Sequence, residues 1–300
     1  MNIPFDKIEM GKLIPKFIYM THSQKELPYA LKENVNNVIK INPGWNYLLF
    51  DDQERNNYIL SKSSFLHECY NKIDIKYGPA RADFFRYIIL YYEGGCYLDI
   101  KSSTAIPLSQ IIKPEDKYIL SYWDNIDFPL WGKQHKELIN PLGEFQQWHI
   151  IAVKGHPFLA AVIDAVTKKI NTYNPYFHGV GKKGVVNVTG PVIYSNTIYP
   201  LIQKYQCTIY ESEKSIGLIY SVFNHNHHLQ FKQHYSTLLY PIITNGKTKT
   251  IFVIIFQNIK YSIINYINLI IKTTNRYKSR LKRILFIIKD QFNEKICLKP

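Results

Sequence analysis

From Ala80 to Tyr92 the chain has no Gly or Pro, and its apolar residues recur at helical spacing. Phe84, Ile88 and Tyr91 form one row and Phe85, Ile89 and Tyr92 the next, which predicts a helix buried on most of its surface. Pro79 stands where a first-turn proline is tolerated, because its missing N–H would have no helical partner there. Gly94 and Gly95 are expected to stop the helix in a left-handed cap. Cys96 to Ile100 then reads as a short strand that carries Asp99 to its carboxyl end. Ligands of open α/β sheets bind just outside that end.

The same alternation of apolar strands with helical runs continues on both sides. Leu13–Met20 reads as a buried strand, and Trp45–Phe50, Tyr118–Tyr122 and Ile150–Val153 read as further strands. Pro28–Asn42 reads as a helix, Glu54–Tyr70 as a surface helix, and His156-Pro157 as the start of a helix ending near Ile170. Adjacent Asp51 and Asp52 suit a helix cap, and His156 before a proline suits a cap or turn. Strands alternating with helices predict an α/β fold with a mostly parallel sheet.

Two polar residues interrupt the apolar helix. Asp83 and Arg86 lie three apart and share a face. Taken alone, they fit a structural ion pair as well as a ligand site. Asp99 at the next strand end adds a second carboxylate, and the three together make a cradle for a polyhydroxylated, anionic ligand. Arginine suits phosphate, and the acids suit sugar hydroxyls.

Composition narrows the picture. The net charge is +14, but twelve Lys and Arg face only Asp290 and Glu294 from Lys247 onward, so +10 of it sits in the last 54 residues. The part that carries the acids is nearly neutral, which argues against a nucleic-acid enzyme with a basic cleft. Cys69, Cys96, Cys207 and Cys297 show no C-x-x-C spacing, predicting neither zinc nor a disulfide framework and favouring a reducing compartment. The first seventeen residues hold no long apolar run of the kind a secretory signal or anchor needs.

The tail is different material. Phe252, Phe256, Ile259, Ile263, Ile267 and Ile270 share a helical face, and the stripe continues from Tyr277 to Ile288 among six basic residues, Arg276, Lys278, Arg280, Lys282, Arg283 and Lys289. Lys260 and several amides interrupt Ile251–Ile271, so a basic amphipathic helix on an anionic membrane surface fits better than a span. A helix hairpin packed on the domain or in a dimer fits the same stripe.

The central stretch resembles the sugar-binding DXD region of glycosyltransferase family 32, which includes yeast-type initiating mannosyltransferases. It is also similar to the catalytic domains of large clostridial glucosylating toxins. Ala82-Asp83-Phe84-Phe85-Arg86-Tyr87 matches the family's A-D-x-x-R-Y, and Gly94-Gly95-Cys96-Tyr97-Leu98-Asp99 matches its G-G-x-Y-L-D. Leu13–Met20 resembles its opening I-P-K strand, Asn42–Asp52 its N-P-x-W segment, and Thr189-Gly190-Pro191 its T-G-P motif. The pattern departs at Lys101, which stands where the second acid of D-x-D would be.

The resemblance implies a GT-A type mixed sheet, with a mostly parallel nucleotide-binding half flanked by helices, over residues 1–246. A helical appendage follows over 247–300. It implies transfer of a hexose from a nucleotide-diphospho-sugar to a glycan or other hydroxyl acceptor, with retention of configuration. Asp83, Arg86, Asp99 and Lys101 would carry the chemistry. Thr21, His22, Tyr97, Thr189 and Gly190 would join Asp83, Arg86 and Asp99 in holding the donor, with free N–H groups at the Gly–Pro turn facing phosphate or hydroxyl. The family uses Mn²⁺ or Mg²⁺, expected here on Asp99 with His234 or Glu144. Lys101 either repels that cation and neutralises the diphosphate itself, or points away and leaves weakened cation dependence; the second is the expectation. His225, His227, His228 and His234 form a cluster without a recognised ligand spacing. The aromatic loop of Trp123, Phe128 and Trp131 suits carbohydrate. A cytoplasmic enzyme, free or peripheral on a membrane, is expected. Two other classes stay open: a non-catalytic nucleotide-sugar-binding relative and a membrane-surface adaptor.

Overall fold

The computed structural model describes residues 4–125, 130–223, 238 and 240–244, with positions 262, 265, 266, 270 and 272 beyond them. The chain divides into two compact units, Met1–Asn245 and Gly246–Pro300.

Among the described residues of the first unit lie eight strands: β1 (Phe17–Thr21), β2 (Asn46–Phe50), β3 (Gly95–Leu98), β4 (Ser103–Thr104), β5 (Tyr118–Ser121), β6 (His149–Ala152), β7 (Thr208–Tyr210) and β8 (Leu218–Ile219). Six form one sheet in the order β2-β1-β3-β6-β5-β7. β2, β1 and β3 are mutually parallel, β6 runs against both β3 and β5, and β7 is parallel to β5. β4 and β8 make a separate antiparallel pair. This is the α/β sheet, mostly parallel, that the alternating runs predict, and its mixed character is what the resemblance implies.

The helices are α1 (Tyr29–Ile41), α2 (Asp52–Lys62), α3 (Ser64–Lys72), α4 (Gly78–Glu93), α5 (Leu108–Ile111), α6 (Pro157–Asn171), α7 (Pro175–His178), α8 (Gly181–Val188), α9 (Pro191–Ile198) and α10 (Glu213–Ile216). Alternation along the strands sends side chains into two cores, one on each face of the sheet. Tyr19, Tyr97, Tyr118, Ile150 and Ala152 join α4 and α6 on one face. Ile18, Met20, Cys96, Leu98, Ile119 and Ile151 pack with Leu31, Val35 and Val38 of α1 on the other.

Twelve of the sixteen residues of α4 are buried, which is why its apolar pattern wraps round the helix rather than marking one stripe. It packs on α6, α2, β3 and β6. Gly94 and Gly95 close the α4–β3 turn with φ of +70° and +110°. Gly94 has ψ −174°, so the stop lies in a glycine-only extended region rather than in the expected left-handed cap. A Cβ there would meet the Lys154 backbone nitrogen at 2.5 Å.

Two expectations need correction. Glu54–Tyr70 is two helices, because Ser63 adopts extended backbone and its hydroxyl accepts from the Leu66 N–H to start α3. Nor is the segment superficial: Arg55, Ile59, Leu66, Cys69 and Tyr70 are buried. Asp51 does cap α2, in a reciprocal box with Glu54. His156 caps α6 by accepting from the Phe158 N–H. Among the described residues no helix is long and apolar enough to cross a membrane. The readings of the tail stripe and the histidine cluster, His234 included, fall outside the described residues.

Candidate functional site

α4 and β3 bring the three predicted ionisable groups together at the carboxyl end of the sheet's parallel half. Arg86 Nη2 lies 3.2 Å from Asp83 Oδ1 and 3.0 Å from Asp99 Oδ1, so one guanidinium bridges both acids. Its Nη1 donates to the Gln147 carbonyl at 2.6 Å, and its plane lies over the Tyr97 ring at 4.6 Å. Asp83 and Arg86 are each only 4% exposed. The Asp99 side chain is 26% exposed. The strand-end acid therefore opens to solvent, while the helix acid is sealed behind it.

Asp83 is held from several sides. Thr189 Oγ1 donates to Oδ2 at 3.0 Å, and Gln147 Nε2 donates to Oδ1 at 3.3 Å. Burial pushes its carboxyl up to about 7, against the pull of Arg86 and the Thr189 bond. For Arg86, burial disfavours the charge, but Tyr97, Asp99 and Asp83 outweigh it and the net shift is upward. The arrangement seals Asp83 behind Arg86 and leaves Asp99 as the more exposed of the two acids.

The T-G-P turn joins this network in a different way from the one expected. The N–H groups of Thr189 and Gly190 are both spent on the Val185 carbonyl, at 3.0 and 2.8 Å. They are not free for phosphate. Thr189 is fully buried and contributes its hydroxyl instead. Tyr97 is buried under Arg86, with its hydroxyl 2.9 Å from Thr21 Oγ1; burial pushes that phenol up to about 12. His22 stands apart, its Nδ1 in a local turn with the Gln24 carbonyl at 2.9 Å.

Two members of the network carried no signal of their own in the sequence. Gln147 contacts Asp83, Arg86 and the Tyr87 hydroxyl, and Tyr87 also reaches the Thr189 carbonyl at 2.8 Å. Tyr220, just beyond β8, receives Lys101. Asp99 to Ser102 is a tight turn, with the Ser102 N–H on the Asp99 carbonyl at 2.8 Å. From it Lys101 Nζ donates to Tyr220 Oη at 2.7 Å and lies 3.9 Å from the ring centroid. Ser102 Oγ donates to the Tyr220 carbonyl at 2.7 Å, and the Val222 N–H to the Lys101 carbonyl at 3.0 Å. Ser102 and Ser103 are buried rather than presented to a phosphate. Burial lowers the Lys101 ammonium, with Asp99 pulling the other way.

Trp123, Trp131 and Trp148 surround Tyr220 at centroid distances of 4.9, 6.3 and 5.6 Å. Glu144 accepts from Trp123 Nε1 at 2.7 Å and lies 3.7 Å from His135 Nε2. Burial pushes its carboxyl up to about 7. Glu144 thus meets the aromatic loop through Trp123; Phe128 is outside the described residues.

The described donors do not suit a dication. A lysine occupies the second acid's position, and the nearer Asp99 oxygen is already bonded to Arg86. Glu144 gives one oxygen to Trp123, and its other oxygen, 3.7 Å from His135, has no hydrogen-bond partner among the described residues and no second acid beside it. Among the described residues no group of three His, Cys, Asp or Glu side chains could hold a metal.

Comparison with known proteins matches the segment that carries these residues. Residues 28–118 match the family described as "Glycosyltransferase sugar-binding region containing DXD motif". That segment holds α4, β3, Asp83, Arg86 and Asp99. Over that segment the chain resembles this glycosyltransferase family. Its relatives include mannosyltransferases of the family 32 type. It is 25% identical over 200 residues to an initiation-specific alpha-1,6-mannosyltransferase of Schizosaccharomyces pombe, covering 62% of this chain and 48% of that protein. It is 24% identical over 184 residues to the mannosyl phosphorylinositol ceramide synthase SUR1 of Saccharomyces cerevisiae, covering 61% and 41%. The chain thus spans about half the length of these relatives or less. A solved structure titled PaToxG Glycosyltransferase aligns with 64% of this chain and 71% of its own, at 16% identity and a TM-score of 0.47.

Proposed function

We propose that the chain is a hexosyltransferase that takes its sugar from a nucleotide-diphospho-sugar and passes it, with retention, to a hydroxyl of a glycan or glycolipid. The observation that carries this is Arg86 joined to both Asp83 and Asp99, with Asp99 exposed at the tip of β3. The donor's sugar would meet Asp99, and its diphosphate would lie within reach of Arg86. In the reaction the bond between the sugar's anomeric carbon and the β-phosphate oxygen breaks, leaving its electron pair on that oxygen. An acceptor hydroxyl oxygen takes the carbon, and its proton goes to the departing diphosphate. Charge develops on the phosphate, so a fixed cation facing it lowers the barrier.

The printed names of the relatives favour mannose as the sugar. The cluster of Trp123, Trp131 and Tyr220 would support the acceptor, since sugar C–H faces pack on aromatic rings. The basic tail, residues 247–300, would serve as an address on an anionic membrane surface of the cytoplasmic side. Truncation before Thr250 should then abolish liposome binding and spare donor hydrolysis.

The test is release of free sugar from GDP-mannose, UDP-glucose and UDP-galactose by the purified chain. One donor should be hydrolysed, and Asp99→Asn should slow that release by about a hundredfold or more. Nucleotide binding with no sugar released from any donor would identify a non-catalytic relative instead.

A further inference from the structure

In a D-x-D site the second carboxylate brings one negative charge, and the dication it helps to bind brings two positive ones. Together they leave a single positive charge beside the diphosphate. Lys101 brings that same charge in one side chain, at the same sequence position. Among the described residues this charge has no ion-pair partner, although Asp99 acts on it from further off. Lys101 Nζ makes one hydrogen bond among the described residues, to the neutral Tyr220 hydroxyl, and no carboxylate lies within 4 Å of it. A half-buried ammonium without an acid partner is costly unless an anion completes it. The nitrogen is also held rather than loose. The Ser102 hydroxyl on the Tyr220 carbonyl and the Val222 N–H on the Lys101 carbonyl tie the turn to the segment after β8, at 2.7 and 3.0 Å.

We propose that Lys101 is a built-in replacement for the metal: it receives the diphosphate of a nucleoside diphosphate and lets this site bind and release it without a divalent cation. The inference rests on the donor reading above. In the transfer step the electron pair of the breaking carbon–oxygen bond settles on the phosphate, where the ammonium faces it. Lys101 gives up no proton and forms no covalent bond. Tyr220 is a positioning residue that aims the lysine, and the aromatic layer of Trp123 and Trp148 behind it keeps the tyrosine in place.

Calorimetric titration of the full chain with GDP, UDP and inorganic pyrophosphate, each in EDTA and in Mn²⁺, tests this. The wild type should bind at least one nucleoside diphosphate with the same affinity in both solutions, and more tightly than pyrophosphate. Lys101→Met should weaken that binding by about ten- to a hundredfold, the scale of a hydrogen bond to a charged group. Lys101→Asp restores the D-x-D pattern and should bind only in Mn²⁺. Circular dichroism of each variant separates lost binding from lost folding, and the wild-type comparison stands if a variant fails to fold. Wild-type binding that requires Mn²⁺ overturns the inference and leaves the donor reading intact. Unchanged affinity in a folded Lys101→Met makes the lysine structural only and overturns it as well. If neither nucleotide binds in either solution, the inference and the donor reading fall together.

Discussion

The site has two halves of opposite construction. On the α4 side, Asp83, Arg86, Thr189, Gln147 and Tyr97 are buried and joined to one another. On the turn side, Lys101 stands against an aromatic layer with a single neutral hydrogen-bond partner. The first half resembles a frame whose charged groups are paired with one another. The second resembles a receptor whose charge is left for a ligand. Asp99 belongs to both, since it is bonded to Arg86 yet partly exposed. The contrast separates residues that hold the site from residues that meet the substrate, and it predicts different failures for each.

Breaking the frame should cost stability first. Arg86→Ala leaves buried Asp83 without its cation and should destabilise the fold by about 3–5 kcal/mol, measured by urea denaturation. A loss below about 1 kcal/mol would mean the bridge is not formed in solution. Thr189→Val removes the hydroxyl bond to the Asp83 carboxylate and should cost about 2 kcal/mol, with Thr189→Ser recovering most of it. If Val and Ser behave alike, the bond to Asp83 is not what Thr189 contributes.

Glu144 tests the aromatic region through pH. Its carboxyl is raised by burial from the ordinary range to about 7, so between about 4.5 and 7 the folded protein holds a proton that the unfolded chain has released. This group therefore withdraws stability as pH rises through that window. Glu144→Gln should become more stable relative to wild type over the same interval, by about 3 kcal/mol in all by pH 8. A stability difference that stays flat with pH would show the carboxyl is not held up by burial. The smallest effect belongs to the receptor half. Tyr220→Phe keeps the ring and removes only the oxygen that aims Lys101, so nucleoside diphosphate affinity should fall about fivefold while the melting temperature moves little.

Much of the frame was readable before any coordinates, because it lies in one continuous stretch. The helix rows, the Gly94-Gly95 stop and the strand delivering Asp99 are local patterns, and three-residue spacing put Asp83 beside Arg86. Gln147 enters from the segment before β6, which pairs antiparallel with β3, and Tyr220 from the end of β8. Those approaches are set by sheet pairing and leave no mark in local spacing. Thr189 was found through its motif, but its role was misjudged. A Gly–Pro turn usually presents amides, and here the Val185 carbonyl takes both. The break at Ser63 was missed because a serine cap interrupts a helix without Gly or Pro. Lys101 was visible as a departure from a pattern, but only its contact with Tyr220 shows that it faces inward.

The most direct measurement is a crystal structure of the full chain grown with GDP and Mn²⁺, with data collected at the manganese absorption edge. The account predicts the diphosphate between Lys101 Nζ and the Arg86 guanidinium, with no anomalous peak beside Asp99. A manganese ion ligated by Asp99 and bridging the phosphates, with Lys101 turned away from them, would contradict it.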